Sequence, residues 1–176
     1  LKDPIDKPDL TGLNLRVSPV YTAFFKSLGA TVQTSTIAQV YTYMENGTVQ
    51  GYGWPAAGWV PAWAKVTGYK VEPGFYSAAL HTLVNLKTWN GLTKPQQDII
   101  TAVGLEFEKR SEPGSPELTA QLKKENDMRA SKGMKVIAFA DTDRDTWIKA
   151  AKDAGWNELI ERSPEHGRKL RALFSR

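Results

Sequence analysis

The sequence contains no cysteine, and this absence excludes several kinds of chemistry. Without thiols the chain can form neither a disulfide nor a thiolate nucleophile nor a zinc–thiolate site. It also has no run of about 18 or more apolar residues, so no segment is predicted to span a membrane. The first residue is Leu1 rather than methionine, and we expect the chain to be a fragment or a processed form.

The remaining composition is typical of a folded protein. The 176 residues are 41% hydrophobic and 10% aromatic, enough for one core of ordinary size or for two small lobes. The formal charge of +4 is mildly basic, but the basic residues are spread along the chain. Charge alone therefore does not indicate nucleic acid or any other particular anionic partner.

The first half of the chain alternates strand and helix patterns. Pro19 favours a helix start, and Gly29 and Gly47 favour helix ends. The patterns predict strands over 13–17, 31–34 and 49–52, with helices over 19–28 and from about 37 to 46. This order predicts a parallel sheet covered by helices.

The second half is richer in helix. Pro113 and Pro116 are expected to break what would otherwise be one long helix, and Asp141 or Thr142 is expected to cap a later one. The patterns predict strands over 69–71, 75–86 and 134–139, and helices over 93–110, 115–133, from about 141 to 154 and from 163 onward.

Arg16 is out of place in the first strand. Leu13, Leu15 and Val17 alternate like one buried face, yet the run also carries a guanidinium with five donors and a permanent charge. Either the sheet has a wet face, with Arg16 in a surface or structural ion pair, or an acidic group binds Arg16.

Several other motifs resemble known sites without matching them. DTDRD at 141–145 begins like a calcium loop, but Thr146 and Lys152 stand where a glycine and a bidentate glutamate are required. GYGWPAAG has the wrong spacing for a phosphate-binding loop. His81 and His166 have no nucleophile motif beside them, and the basic C-terminal segment lacks a nucleic-acid reading motif. We therefore predict no catalytic residue, no metal, no cofactor and no nucleic-acid contact.

Four stretches resemble one family of transport proteins. They are DLTGLNLRVSP, FFKSLGA, QVYTYMENGTVQGYGWP and LVNLKTWNGLTKPQQDII, and they occur in the family's order along nearly the whole chain. The chain resembles the dicarboxylate-type solute-binding proteins of tripartite ATP-independent periplasmic (TRAP) transporters.

The resemblance implies a fold and a division of the chain. It implies an α/β periplasmic-binding-protein-like lobe of class II type, with a parallel or mixed sheet and C-terminal helices. Residues 1–10 would be a hinge connector, 11–92 the core of the second lobe with a hinge strand, and 93–176 the long helices, final strand and C-terminal helices. The N-terminal lobe, about 120 to 150 residues, would be absent, and the chain alone is expected to bind ligand poorly.

The resemblance also places a ligand site. Arg16 falls on the family's carboxylate-clamping arginine, whose fork can hold a carboxylate by two parallel hydrogen bonds. Trp54 replaces an asparagine that commonly bonds ligand, so it is either a ligand contact or core filler. Pro19 and Ile37 reduce the polar lining further. The predicted ligand-binding residues are Arg16, Trp54, Tyr52, Ile37, Pro19, Phe75 and Tyr76.

These features predict a periplasmic receptor that captures a small organic acid by its carboxylate and delivers it to a TRAP membrane permease. The substituted positions favour a monocarboxylate with an apolar body. Two other classes remain open: a ligand-sensing effector domain of a transcriptional regulator with the same two-lobed fold, and a hydrolase or isomerase, for which no catalytic group is found.

Overall fold

The structure is a computed structural model that describes residues 1–76 and 81–175. The chain divides into one unit of Leu1–Tyr76 with Met128–Arg176 and a second unit of Ser77–Asp127. The strands are β1 (Asn14–Val17), β2 (Thr31–Thr34), β3 (Gly51–Tyr52), β4 (Tyr69–Glu72) and β5 (Lys135–Ala138). The helices are α1 (Thr22–Ser27), α2 (Gln39–Glu45), α3 (Leu86–Asn90), α4 (Lys94–Ser111), α5 (Pro116–Ser131), α6 (Asp141–Arg162) and α7 (Pro164–Phe174).

The first unit contains a parallel sheet in the order β2-β1-β3. A 3-10 turn beginning at Pro19 leads into α1, and Gly29 and Gly47 follow α1 and α2 with φ angles of 90° and 77°. Glycine adopts these angles without steric cost, which explains why both helices end there. The predicted strand–helix alternation is confirmed.

A second parallel pair, β4 and β5, joins segments that are far apart in sequence. Leu1 and Lys2 run beside it, since Gly68 and Tyr69 donate to the Leu1 carbonyl at 3.0 Å and Lys2 donates to the Gln50 carbonyl at 2.9 Å. The opening residues therefore connect the two sheets.

Two apolar cores cover the central sheet. Leu15 and Val17 belong to one core, together with aromatic residues of α1 and Trp147 of α6. Val40 and Met44 of α2, both fully buried, belong to the other. Successive side chains of a strand point to opposite faces, so Arg16 lies on the face away from Leu15 and Val17.

The second unit is helical in its described part. α4 begins with a reciprocal capping box between Thr93 and Gln96. One face of α4 is apolar and exposed, because Ile99, Ile100 and Phe107 recur at helical spacing and are 64%, 42% and 67% exposed.

Three predictions about elements are wrong, and one helix was not predicted. The strand predicted over 75–86 does not form at 75–76 or 81–85, and residues 77–80 lie outside the described part of the chain. Leu83 is 90% exposed, and no strand pairs with this segment within the described residues. Asp141 is the first residue of α6 rather than its cap, and α6 continues eight residues beyond Ala154, to Arg162. α3 was not predicted, although the Asn85 side chain caps it.

Candidate functional site

Arg16 is almost completely buried, with 4% of its surface exposed. Its Nη2 donates to the Ser35 carbonyl at 2.6 Å and its Nε to the Ser35 hydroxyl at 3.4 Å. Its Nη1 is buried and has no hydrogen-bond partner among the described residues. Loss of hydration lowers the pKa of the guanidinium, as expected for a cation removed from water.

Trp54 lies against Arg16. The guanidinium carbon is 5.9 Å from the centroid of the indole, within the range of a cation–π contact. The indole donates to the Gly58 carbonyl at 3.1 Å and meets Trp63 edge to face at 4.7 Å. Trp54 is therefore held by its own loop in contact with the arginine.

Gly53 positions this loop. Its amide donates to the Arg16 carbonyl at 3.0 Å, which extends the pairing of β1 and β3 by one residue. A Cβ at Gly53 would lie 2.6 Å from a ring carbon of Tyr21 and 3.0 Å from one of Phe25. Only glycine therefore lets the chain pass this close to the two rings.

A cavity of about 210 Å³ opens beside Trp54 and is formed entirely by the first unit. Four of the predicted ligand residues line it: Tyr52, Trp54, Phe75 and Tyr76. Arg16 is not in the cavity wall and adjoins it through Trp54. Pro19 and Ile37 do not line it either, and both are exposed.

One side of the cavity is aromatic. Tyr21 packs edge to face against Phe75 at 5.5 Å and against Tyr76 at 5.6 Å, measured between ring centroids. Phe25 and Trp147 complete this wall. Planar rings and hydrocarbon are the ligand groups that such a wall favours.

The other side carries polar groups. The Tyr52 hydroxyl is 2.9 Å from the Thr67 hydroxyl and accepts a hydrogen bond from the Trp59 indole at 2.8 Å. Burial raises the pKa of Tyr52, so this hydroxyl stays protonated at neutral pH.

A second buried arginine stands in the same wall. Arg129 is 5% exposed, donates to the Ala56 carbonyl at 2.8 Å and lies 5.4 Å from the Trp59 ring centroid. The sequence reading missed it because it precedes Gly133 at the end of α5, where basic residues commonly face solvent.

The other candidate chemistries stay separate from the cavity. His166 contacts the Ser163 hydroxyl at 3.2 Å, outside the cavity, and His81 is exposed. Within residues 1–76 and 81–175, no three His, Cys, Asp or Glu side chains meet in a way that would hold a metal ion. Over the same ranges, no helix is both long enough and apolar enough to cross a membrane.

Residues 1–162 match the model of the bacterial extracellular solute-binding protein family 7, and the chain belongs to that family. A solute-binding protein of Roseobacter denitrificans is 27% identical over 158 residues, which are 86% of this chain and 46% of that protein. Solute-binding proteins of this family serve transport and are not a class of enzymes. The predicted resemblance is confirmed, and the alternative of a regulator's sensing domain is not supported.

Solved structures show the same fold. A TRAP periplasmic solute-binding protein from Desulfovibrio salexigens, with bound orotic acid, superposes with a TM-score of 0.73 at 20% identity over 99% of this chain and 56% of that one. One from Rhodoferax ferrireducens, with bound malonate, gives 0.69 at 20% identity over 97% and 55%. The chain thus spans about half the length of these relatives. The predicted periplasmic-binding-protein-like α/β fold is confirmed.

Proposed function

We propose that the chain forms the ligand-binding second lobe of a periplasmic receptor that captures a small organic acid and delivers it to a TRAP permease. The observation that carries this proposal is Arg16: a buried guanidinium at the end of a parallel strand, with one nitrogen unpartnered among the described residues. A carboxylate oxygen is the acceptor that best suits such a charged donor.

The packing around Arg16 supports a position for the ligand. Trp54 adjoins the arginine and lines the cavity together with Tyr21, so a carboxylate bound at Arg16 would direct the rest of the acid toward the aromatic wall. Phe75 and Tyr76 would bury that body, with Tyr52 holding the opposite side. Pro19 and Ile37, outside the cavity, would contact ligand only at its entrance.

The aromatic wall favours an acid with a planar ring or branched hydrocarbon body. The orotic acid of the Desulfovibrio salexigens relative is a ring of this kind, whereas the malonate of the Rhodoferax ferrireducens relative is a small diacid. Aryl or branched-chain monocarboxylates, including ring acids with carbonyl groups, are the proposed ligand class.

Membership of the family supports a proposal about partners and location. We propose that an N-terminal lobe of the same protein closes over the site and covers the apolar face of α4, and that the permease subunits bind the closed receptor transiently in the periplasm. Burying that exposed apolar face would stabilise the two-lobed protein.

Mass spectrometry of small molecules that co-purify with the full-length protein tests the proposal. The expected result is an organic acid, present with the wild-type protein and lost with Arg16→Ala. Recovery of the same acid with both proteins would show that Arg16 does not bind it, and a ligand without a carboxylate would refute the proposed ligand class.

A further inference from the structure

Gln33 stands directly opposite Arg16 on the neighbouring strand. The two residues are partners in the parallel register of β1 and β2. Partners on adjacent strands are about 4.8 Å apart and project to the same face of the sheet. The side chains of Arg16 and Gln33 therefore share one side of the strand pair.

Both side chains hold a buried donor without a partner. Arg16 Nη1 and Gln33 Nε2 are each inaccessible to solvent, and neither has a hydrogen-bond partner among the described residues. Folded proteins satisfy nearly all buried donors, because an unpaired one loses its hydration without compensation. Because the two donors lie on paired residues of neighbouring strands, a single acceptor group could satisfy both.

The acceptors of Ser35 are already in use, and Asn14 Oδ1, a buried acceptor two residues before Arg16, makes no hydrogen bond to either donor. The Ser35 carbonyl accepts from Arg16 Nη2, and the Ser35 hydroxyl accepts from Arg16 Nε while donating to the Thr36 carbonyl at 3.2 Å. The Gln33 backbone is committed to the β1–β2 ladder. No acceptor among the described residues therefore bonds either donor, and a ligand could supply one.

We infer that Gln33 is a second carboxylate-binding residue: its amide nitrogen and Arg16 Nη1 each donate to one oxygen of the same ligand carboxylate. This inference rests on the proposed function, since it places the captured acid at Arg16. A planar carboxylate presents its two oxygens side by side, which matches two donors projecting from adjacent strands. Gln33 then selects for a carboxylate over an anion with a single accepting oxygen.

Two substitutions separate binding from a purely structural role. Gln33→Met removes the donor and keeps the length of the side chain, so acid affinity should fall about tenfold with little change in Tm. Gln33→Glu places an anion beside Arg16 Nη1. It should raise the Tm of the ligand-free protein by about 2 to 4 °C, because it pairs the buried cation. It should also lower acid affinity at least about 30-fold, because it competes with the ligand.

The measurements are calorimetric titration and thermal unfolding of the full-length protein, with benzoate, orotate, malonate and L-malate as probes. Gln96→Glu at the start of α4 is the matched control, since it makes the same charge change at an exposed position where a carboxylate oxygen still accepts from Thr93, and it should alter neither affinity nor Tm appreciably. Arg16→Ala is measured in parallel to report on the proposed function.

The outcomes are distinguishable. If Arg16→Ala abolishes binding while both Gln33 variants stay within about twofold of wild type, the inference is wrong and the proposed function stands. If both Gln33 variants lose stability and affinity together, Gln33 is structural and the inference is also wrong. If none of the four acids binds the wild-type protein, both the inference and the proposed ligand class fail.

Discussion

Arg16→Met should separate ligand binding from stability. Methionine fills a similar length and volume without charge, whereas alanine would leave a cavity of its own. Burial of the guanidinium costs several kcal/mol of desolvation. This desolvation cost is offset by two hydrogen bonds to Ser35, each worth about 1.5 to 3 kcal/mol for a charged donor. A cation–π contact with Trp54 contributes a further 0.5 to 2 kcal/mol, roughly.

These opposing contributions nearly cancel, so the free energy of unfolding of the ligand-free Arg16→Met protein should lie within about 2 kcal/mol of wild type. Binding should respond very differently. Removal of one member of a buried charged pair costs about 2 to 5 kcal/mol, or roughly 30- to 4,000-fold in affinity. Arg16→Lys should fall between, because an ammonium keeps the charge but not the planar fork.

Urea unfolding and calorimetric titration of the full-length protein measure the two effects. Arg162→Met is the control, since Arg162 is an exposed arginine paired with Glu158 at 2.6 Å. That control should bind as wild type does. A large loss of stability in Arg16→Met with binding retained would refute the reasoning, because Arg16 would then be a structural residue only.

Three further predictions concern the cavity. In a thermal-shift panel on the full-length protein, aryl and branched-chain acids should stabilise more than succinate or malate; the reverse order would refute the apolar-body proposal. Gly53→Ala should destabilise by about 1 to 3 kcal/mol and weaken acid binding, because its Cβ would meet Tyr21 at 2.6 Å; unchanged unfolding would show that the ring moves aside freely. Burial raises the pKa of Tyr52, so the stability that this group contributes is present below about pH 10 and is lost as the pH rises further. In Tyr52→Phe the free energy of unfolding should therefore fall less steeply above that pH. An equally steep fall in the variant would show that another group causes the loss of stability.

The sequence predicted what local physics determines. Pro19, Gly29 and Gly47 mark helix boundaries through fixed or positive φ angles, which depend on no distant residue. Arg16 was identifiable because a charge among alternating apolar residues violates the strand pattern, and that violation is itself local.

The parts that the sequence did not predict depend on distant contacts. Arg129 borders the cavity only because its helix returns beside Ala56, which is 73 residues earlier in the chain. Gln33 lies opposite Arg16 only because of the register of β1 against β2. A polar residue in a short strand does not by itself indicate which residue will be its partner. The predicted strand over 75–86, which does not form at 75–76 or 81–85, has the right apolar alternation, but strand formation also requires a neighbouring edge.

The arrangement around Arg16 also accounts for the tryptophan that replaces the family's asparagine. An asparagine would offer the ligand one hydrogen bond, whereas Trp54 offers the guanidinium a ring face and the ligand an apolar surface. The ring lessens the cost of the buried charge without supplying an acceptor, so Arg16 Nη1 keeps its capacity to donate. A carboxylate that reaches this nitrogen gains a charge-assisted hydrogen bond in surroundings that exclude water, where such bonds are strongest. On the proposed function, the substitution would shift recognition of the ligand's body from hydrogen bonding toward apolar burial, while the carboxylate would remain the group bound at the strand end.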